Sequence, residues 1–133
     1  MVRRDVVRVL LLLGEGAQEF FGPRQLFEWN HCQCHFAKSD REASEMLKAG
    51  KFDIVLSTHK NASGSIQQLA ALLLGSRASL FHSAPVGKSY MWSPVLRFGK
   101  ECSATSSLTA GELIYELDRM VKHIKAGVTA RVS

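Results

Sequence analysis

The chain has 133 residues, 46% hydrophobic and 22% charged, with 17 Lys plus Arg against 12 Asp plus Glu for a net charge of +5. That length carries one domain with its own core, and the composition excludes a collagen-like, coiled-coil, disordered or disulfide-stapled chain. The basic residues are spread among acidic ones and no basic run is interleaved with aromatics, so nucleic acid is not an expected partner.

The three cysteines are an odd set and do not make a disulfide framework, which suits reduced thiols and a cytoplasmic location. Arg8 interrupts the N-terminal apolar stretch, and Glu15 and Glu19 stand where a leader would need small residues. No stretch approaches the ~20 apolar residues of a membrane span, so no membrane is expected either.

Val6 to Leu13 is a near-continuous apolar run ending at Gly14-Glu15-Gly16. Such a run predicts a strand buried on both faces, as in a parallel sheet covered by helices. Ala17 to Trp29 predicts a helix that starts late or kinks around Pro23. Cys32 to Ala37 predicts a second strand, and Ser39 with Glu42 a capping box opening a helix that ends at Gly50. Phe52 to Ser57 predicts a third strand, Ile66 to Leu74 a helix, and Ser79 to Ala84 a fourth strand.

From Pro85 to Pro94 there are turn residues and aromatics but no helical stripe. Gly87-Lys88-Ser89 suggests a hairpin, and Val95 to Phe98 a strand ending at Gly99. Thr109 and Glu112 form a second capping box, and Leu113, Leu117, Met120, Val121 and Ile124 the apolar stripe of the last helix.

The alternation predicts an α/β domain over residues 1–126, with 127–133 as a short tail. Its expected architecture is a doubly wound, mostly parallel five-stranded sheet, with a hairpin or irregular segment in place of the fourth helix.

In this order of elements the chain resembles the receiver domain of bacterial two-component response regulators. The resemblance is carried by Cys34-His35-Phe36-Ala37, the stripe from Ala43 to Leu47, Phe52-Asp53-Ile54-Val55-Leu56, the Ser83-Ala84 pair, Gly64, and Gly111-Glu112-Leu113. It implies a flavodoxin-like fold. In the family it implies phosphoryl transfer to an Asp at the tip of strand three, with an acidic pair holding a divalent cation, a hydroxyl after strand four and a Lys after strand five.

Mapped onto this chain, the acceptor position falls on Thr58 and the acidic pair on Leu13 and Gly14, with Glu15 adjacent. Ser83 takes the hydroxyl position, and Lys100 is the nearest lysine. A hard cation needs several carboxylate oxygens and the acceptor must itself be a carboxylate. Gly14, Glu15, Thr58, Ser83 and Lys100 are therefore expected to be a vestigial receiver pocket without Asp phosphorylation. A register that put Asp53 at the strand tip beside Glu15 would reverse that expectation.

His31-Cys32-Gln33-Cys34-His35 has metal-ligand residue types, but alternation on a strand sends the histidines one way and the cysteines the other, so no metal is expected. Gly87-Lys88-Ser89 lacks the earlier glycine and following helix of a phosphate loop. Ser57 and Ser83 with His59 and His82 have nucleophile and base types but no nucleophile elbow.

The expectation is a non-catalytic, cofactor-free regulatory module that contacts a signalling protein. Tyr90, Met91 and Trp92 are the candidate interface, with a homodimer left open. The alternative is a small-molecule or nucleotide site at the carboxyl ends of the strands, using Gly14-Glu15-Gly16, Thr58 and Ser83.

Overall fold

The computed structural model describes residues 6–12, 18–58, 63–102 and 107–132, the side chains of 63–65 and 127–132 excepted. The centre is β1 (Arg8–Leu12), whose Val9 to Leu12 are all fully buried. Around it lie β2 (Gln33–Ala37), β3 (Ile54–Ser57), β4 (Ser79–Val86), β5 (Ser89–Arg97) and β6 (Lys100–Glu101), in the order β2-β1-β3-β4-β5-β6. The helices are α1 (Phe21–Trp29), α2 (Asp40–Ala49), α3 (Ser63–Leu73) and α4 (Ala110–Val132). The 127–132 segment, read from sequence as a tail, continues α4.

Alternation along β1 sends Val9 and Leu11 to one face, where they meet Ile54, Leu56, Phe81 and Trp92 under Phe27 of α1 and Leu113 and Leu117 of α4. Leu10 and Leu12 go to the other, with Val55, Leu80 and Leu96 under Ala43 of α2 and Ile66, Leu69 and Leu73 of α3. Helices on both faces explain why β1 reads as an unbroken apolar run. The Thr109–Glu112 capping box forms in full, with bonds of 2.9 and 3.1 Å, and the Ser39–Glu42 pair forms half of one: the Glu42 N–H donates to Ser39 Oγ at 3.1 Å, while Glu42 Oε1 accepts the Lys38 N–H at 3.3 Å.

The sheet corrects the expected architecture. Among the described residues it has six strands and is mixed, because β4, β5 and β6 pair antiparallel while β1/β2, β1/β3 and β3/β4 are parallel. It is not a doubly wound, mostly parallel five-stranded sheet. The reason is local. A parallel return to the sheet needs a crossover of a dozen or more residues, and only Gly87 and Lys88 separate β4 from β5. Gly87 has φ +62 and Lys88 does not share it, the pattern of a type II′ turn, which matches strand twist and wants glycine first. The strand order still starts 2-1-3-4-5, as in flavodoxin-like sheets, but the fifth strand runs the other way.

β5 is a single strand despite Pro94. Trp92 directs its N–H away from β4, to the Leu108 carbonyl at 2.8 Å. Two residues further along, Pro94 would aim its N–H to that same outer side, so its missing donor costs the β4 ladder nothing. The pairing shifts between Leu80/Leu96 and Phe81/Pro94, leaving Val95 extra. That bulge lets Trp92 and Leu96, four apart, face opposite sides of the sheet.

α1 ends in a Schellman arrangement: the Cys32 N–H reaches the Phe27 carbonyl at 2.8 Å and the His31 N–H that of Glu28 at 3.1 Å. His31 takes the left-handed position with φ +56. A side chain there costs about 1 kcal/mol that glycine does not bear. His31→Gly is expected to raise stability by about 0.5–1 kcal/mol in urea unfolding; a loss of stability would show that the imidazole makes a compensating contact.

Candidate functional site

The carboxyl ends of β1, β3 and β4 form one rim of the sheet. Ser57 is the last residue of β3 and Thr58 follows it, its N–H on the Leu12 carbonyl at 3.4 Å; both residues are fully buried. Register pairs Ser57 with His82, and His82 Nδ1 stands 3.4 Å from Ser57 Oγ, which also donates to the Thr58 carbonyl. Ser83, buried too, points to the opposite face and donates to Glu19 Oε2 at 2.8 Å. The sheet thus separates two polar pairs. Ser57 and His82 have the residue types of a nucleophile and base, but a serine with no exposed surface offers a substrate no approach.

Of the expected vestigial pocket, Thr58 and Ser83 are on this rim. Gly14 and Glu15 lie outside the described residues, as do Gly16 and His59. Lys100 is corrected: it begins β6, which pairs with Leu96 and Arg97 opposite the start of β4. It therefore sits at the amino rim, because the antiparallel β5 carries the chain back to the end from which β1, β3 and β4 start.

Asp53 belongs to that amino rim as well. It precedes β3, is 1% exposed, accepts the Arg8 N–H on Oδ2 at 3.0 Å, donates its own N–H to the Arg8 carbonyl, and accepts the Ser79 N–H on its carbonyl. Its carboxylate caps the starting ends of the strands, at the opposite end of β3 from Thr58. Glu19 is the residue that sequence reasoning missed. Nothing in its spacing marks it; the turn Gln18–Phe20 leading into α1 brings it to Ser83.

The His31 to His35 string separates further than alternation requires. His31 is exposed at the helix end, while Cys32 and Cys34 pack against the α1/α4 core. Burial pushes the Cys32 thiol up to about 11, against the pull of Lys125, with Cys34 and Asp53 adding to the rise. Burial also raises Cys34, opposed by Arg24. Neutral thiols are poor ligands and nucleophiles. His35 faces Phe52 edge-on at 5.4 Å, and burial, then the Arg8 charge, hold its pKa below the usual value. Among the described residues no group of three or more His, Cys, Asp or Glu could hold a metal ion.

The Tyr90-Met91-Trp92 segment divides. Trp92 is 1% exposed and stacks on Phe20 with ring centroids 6.1 Å apart, so it is core and is withdrawn from the expected interface. Tyr90 and Met91 are half-buried on the projecting β4–β5 arm.

A larger opening lies where α4 crosses the β5–β6 turn. This groove, about 670 Å³, has Leu108 and Met120 among its apolar lining, with Phe98 and Tyr115 exposed by 41% and 66%. At its edge the Arg97 guanidinium grips Glu116 through bonds of 2.8 and 2.9 Å, which raise the arginine's pKa further. The Thr109 backbone N–H, with its hydroxyl, holds the Glu112 carboxyl below the ordinary carboxylate range.

Among the described residues no helix is long and apolar enough to cross a membrane. Compared with family models, curated proteins and solved structures, the chain matches none.

Proposed function

We propose that this chain is a receiver-like regulatory module that acts by contacting a signalling protein, without phosphoryl transfer. The observation that carries the reading is the chemistry of the carboxyl rim. Ser57 and Thr58 stand at the end of β3, and Ser83 lies on β4 one residue past the partner of Ser57, while Asp53 and Lys100 are both at the opposite rim. An alcohol is a far weaker acceptor than a carboxylate for this exchange, and it offers magnesium no charge.

The contact surface in this reading is the groove between α4 and the β5–β6 turn. Large exposed aromatic side chains beside an apolar floor are what a protein partner anchors on. Resemblance to bacterial receivers supports a cytoplasmic signalling partner. Incubation with acetyl phosphate and magnesium is expected to leave the intact mass unchanged. A hydroxylamine-labile adduct, or any covalent phosphoryl group, would overturn the reading.

A further inference from the structure

The groove does not end at Phe98. On the far side of that ring a second cleft opens, about 560 Å³, lined by Lys51, Gly75, Ser76, Arg77, Phe98 and His123. Phe98 and His123, whose rings meet edge-on at 5.4 Å, border both openings. The two make one elongated surface, with an apolar half against α4 and a basic half at the amino rim.

The charge is one-sided. Among the described residues no carboxylate lines the second cleft, which has Lys51 and Arg77, both exposed, beside the His123 imidazole. Among the described residues the first groove has two carboxylates: Glu116 is paired with Arg97 in a two-bond clasp, and Glu112 accepts the backbone N–H of Thr109 and keeps its charge. Arg119 lies 5.8 Å from the centre of the Tyr115 ring and adds a cation at the aromatic end. After the Arg97–Glu116 pairing the α4 end is left with Arg119 and an ionised Glu112, so the net positive charge lies in the Lys51 and Arg77 half, beyond the aromatic walls, on a chain whose net charge is +5.

We infer that this two-part groove holds an acidic peptide segment of the partner, with an aromatic or large apolar residue in the α4 half and carboxylates against Lys51 and Arg77. The inference rests on the protein-contact reading above and names the chemistry of the partner. Two adjoining clefts fit a chain better than a compact small molecule, which one pocket of this size would enclose. Nucleic acid would need a longer basic track than these three cations provide.

The test uses two fluorescent peptides of about 12 residues, roughly 40 Å when extended. Both carry a central tryptophan; one has glutamates on either side and the other lysines. In anisotropy titrations the acidic peptide is expected to bind at least ~10-fold more tightly than the basic one. Lys51→Glu with Arg77→Glu is expected to remove most of that binding and flatten its salt dependence. Tyr115→Ala is expected to weaken binding while leaving the salt dependence in place. Arg119→Glu stands in if the double variant does not fold.

Equal binding of the two peptides overturns the inference. So does indifference to the charge reversals, displacement of the peptide by duplex DNA at physiological salt, or a dimer that the charge reversals dissociate. Failure here is separable from failure of the functional reading. A phosphoryl adduct with acid-selective binding would end that reading and keep the groove; charge-blind binding without an adduct would do the reverse.

Discussion

Replacing Gly99 by alanine is expected to cost about 3–5 kcal/mol, a large part of the ~5–15 kcal/mol that holds a domain of this kind together. Gly99 has φ +78, and a Cβ there would lie 1.6 Å from the backbone oxygen of Ser76. Backbone cannot swing aside as a side chain can. Relief requires parting the β5–β6 turn from the loop before β4, and three bonds cross that seam. They are the Gly75 N–H to the Gly99 carbonyl at 2.9 Å, the Gly99 N–H to the Ala78 carbonyl at 2.8 Å, and the Phe98 N–H to Ser79 Oγ at 3.0 Å. At about 1 kcal/mol each, with about 1–2 kcal/mol for the left-handed backbone, the sum reaches that range.

Gly87→Ala is the control. Its φ is also positive, but nothing lies within 4 Å of the added Cβ, so only strain of about 1 kcal/mol is expected. Urea unfolding of both variants reads the difference. If Gly99→Ala loses no more than Gly87→Ala, the seam is looser than its bonds imply.

Trp92→Ala is expected to destabilise by about 3–5 kcal/mol, the cost of emptying a large aromatic site in a core. The ring is 1% exposed and stacked on Phe20, and the residue's N–H and carbonyl are both bonded to Leu108 at 2.8 and 2.7 Å. Tyr115→Ala, at a residue 66% exposed, is expected to stay within about 0.5 kcal/mol. Fluorescence gives an independent reading, since the chain has two tryptophans. Trp29 is 76% exposed and should be quenched by acrylamide, whereas Trp92 should be shielded and emit to the blue. A Trp92→Ala variant as stable as the parent would return Trp92 to the surface.

These residues mark how far the sequence could be read. Helix starts were legible because their signals are local: Ser39 with Glu42, and Thr109 with Glu112, bond within one turn of the helices they open. The stripe from Leu113 to Val121 and the run in β1 were legible because burial on one or both faces imposes a period. The turn at Gly87 was legible too, but its consequence for the sheet was not. Trp92 and Leu96 share parity in the sequence, and only the extra residue Val95 sends them to opposite faces. Lys100 was misplaced for a related reason: a sequence position does not tell which way a strand runs. Glu19 reaches Ser83 across 64 positions, and no spacing rule spans that distance.

The two-residue turn at Gly87 also shapes the search that folding must make. Each parallel pairing in this sheet closes a long loop, with an entropy cost that must be met before any contact rewards it. β4 and β5 close over two residues instead. This third of the sheet is therefore dominated by near neighbours in sequence, the kind of contact that forms in microseconds rather than after a long diffusive search. Reversing one strand thus lowers the contact order of a topology that is otherwise slow.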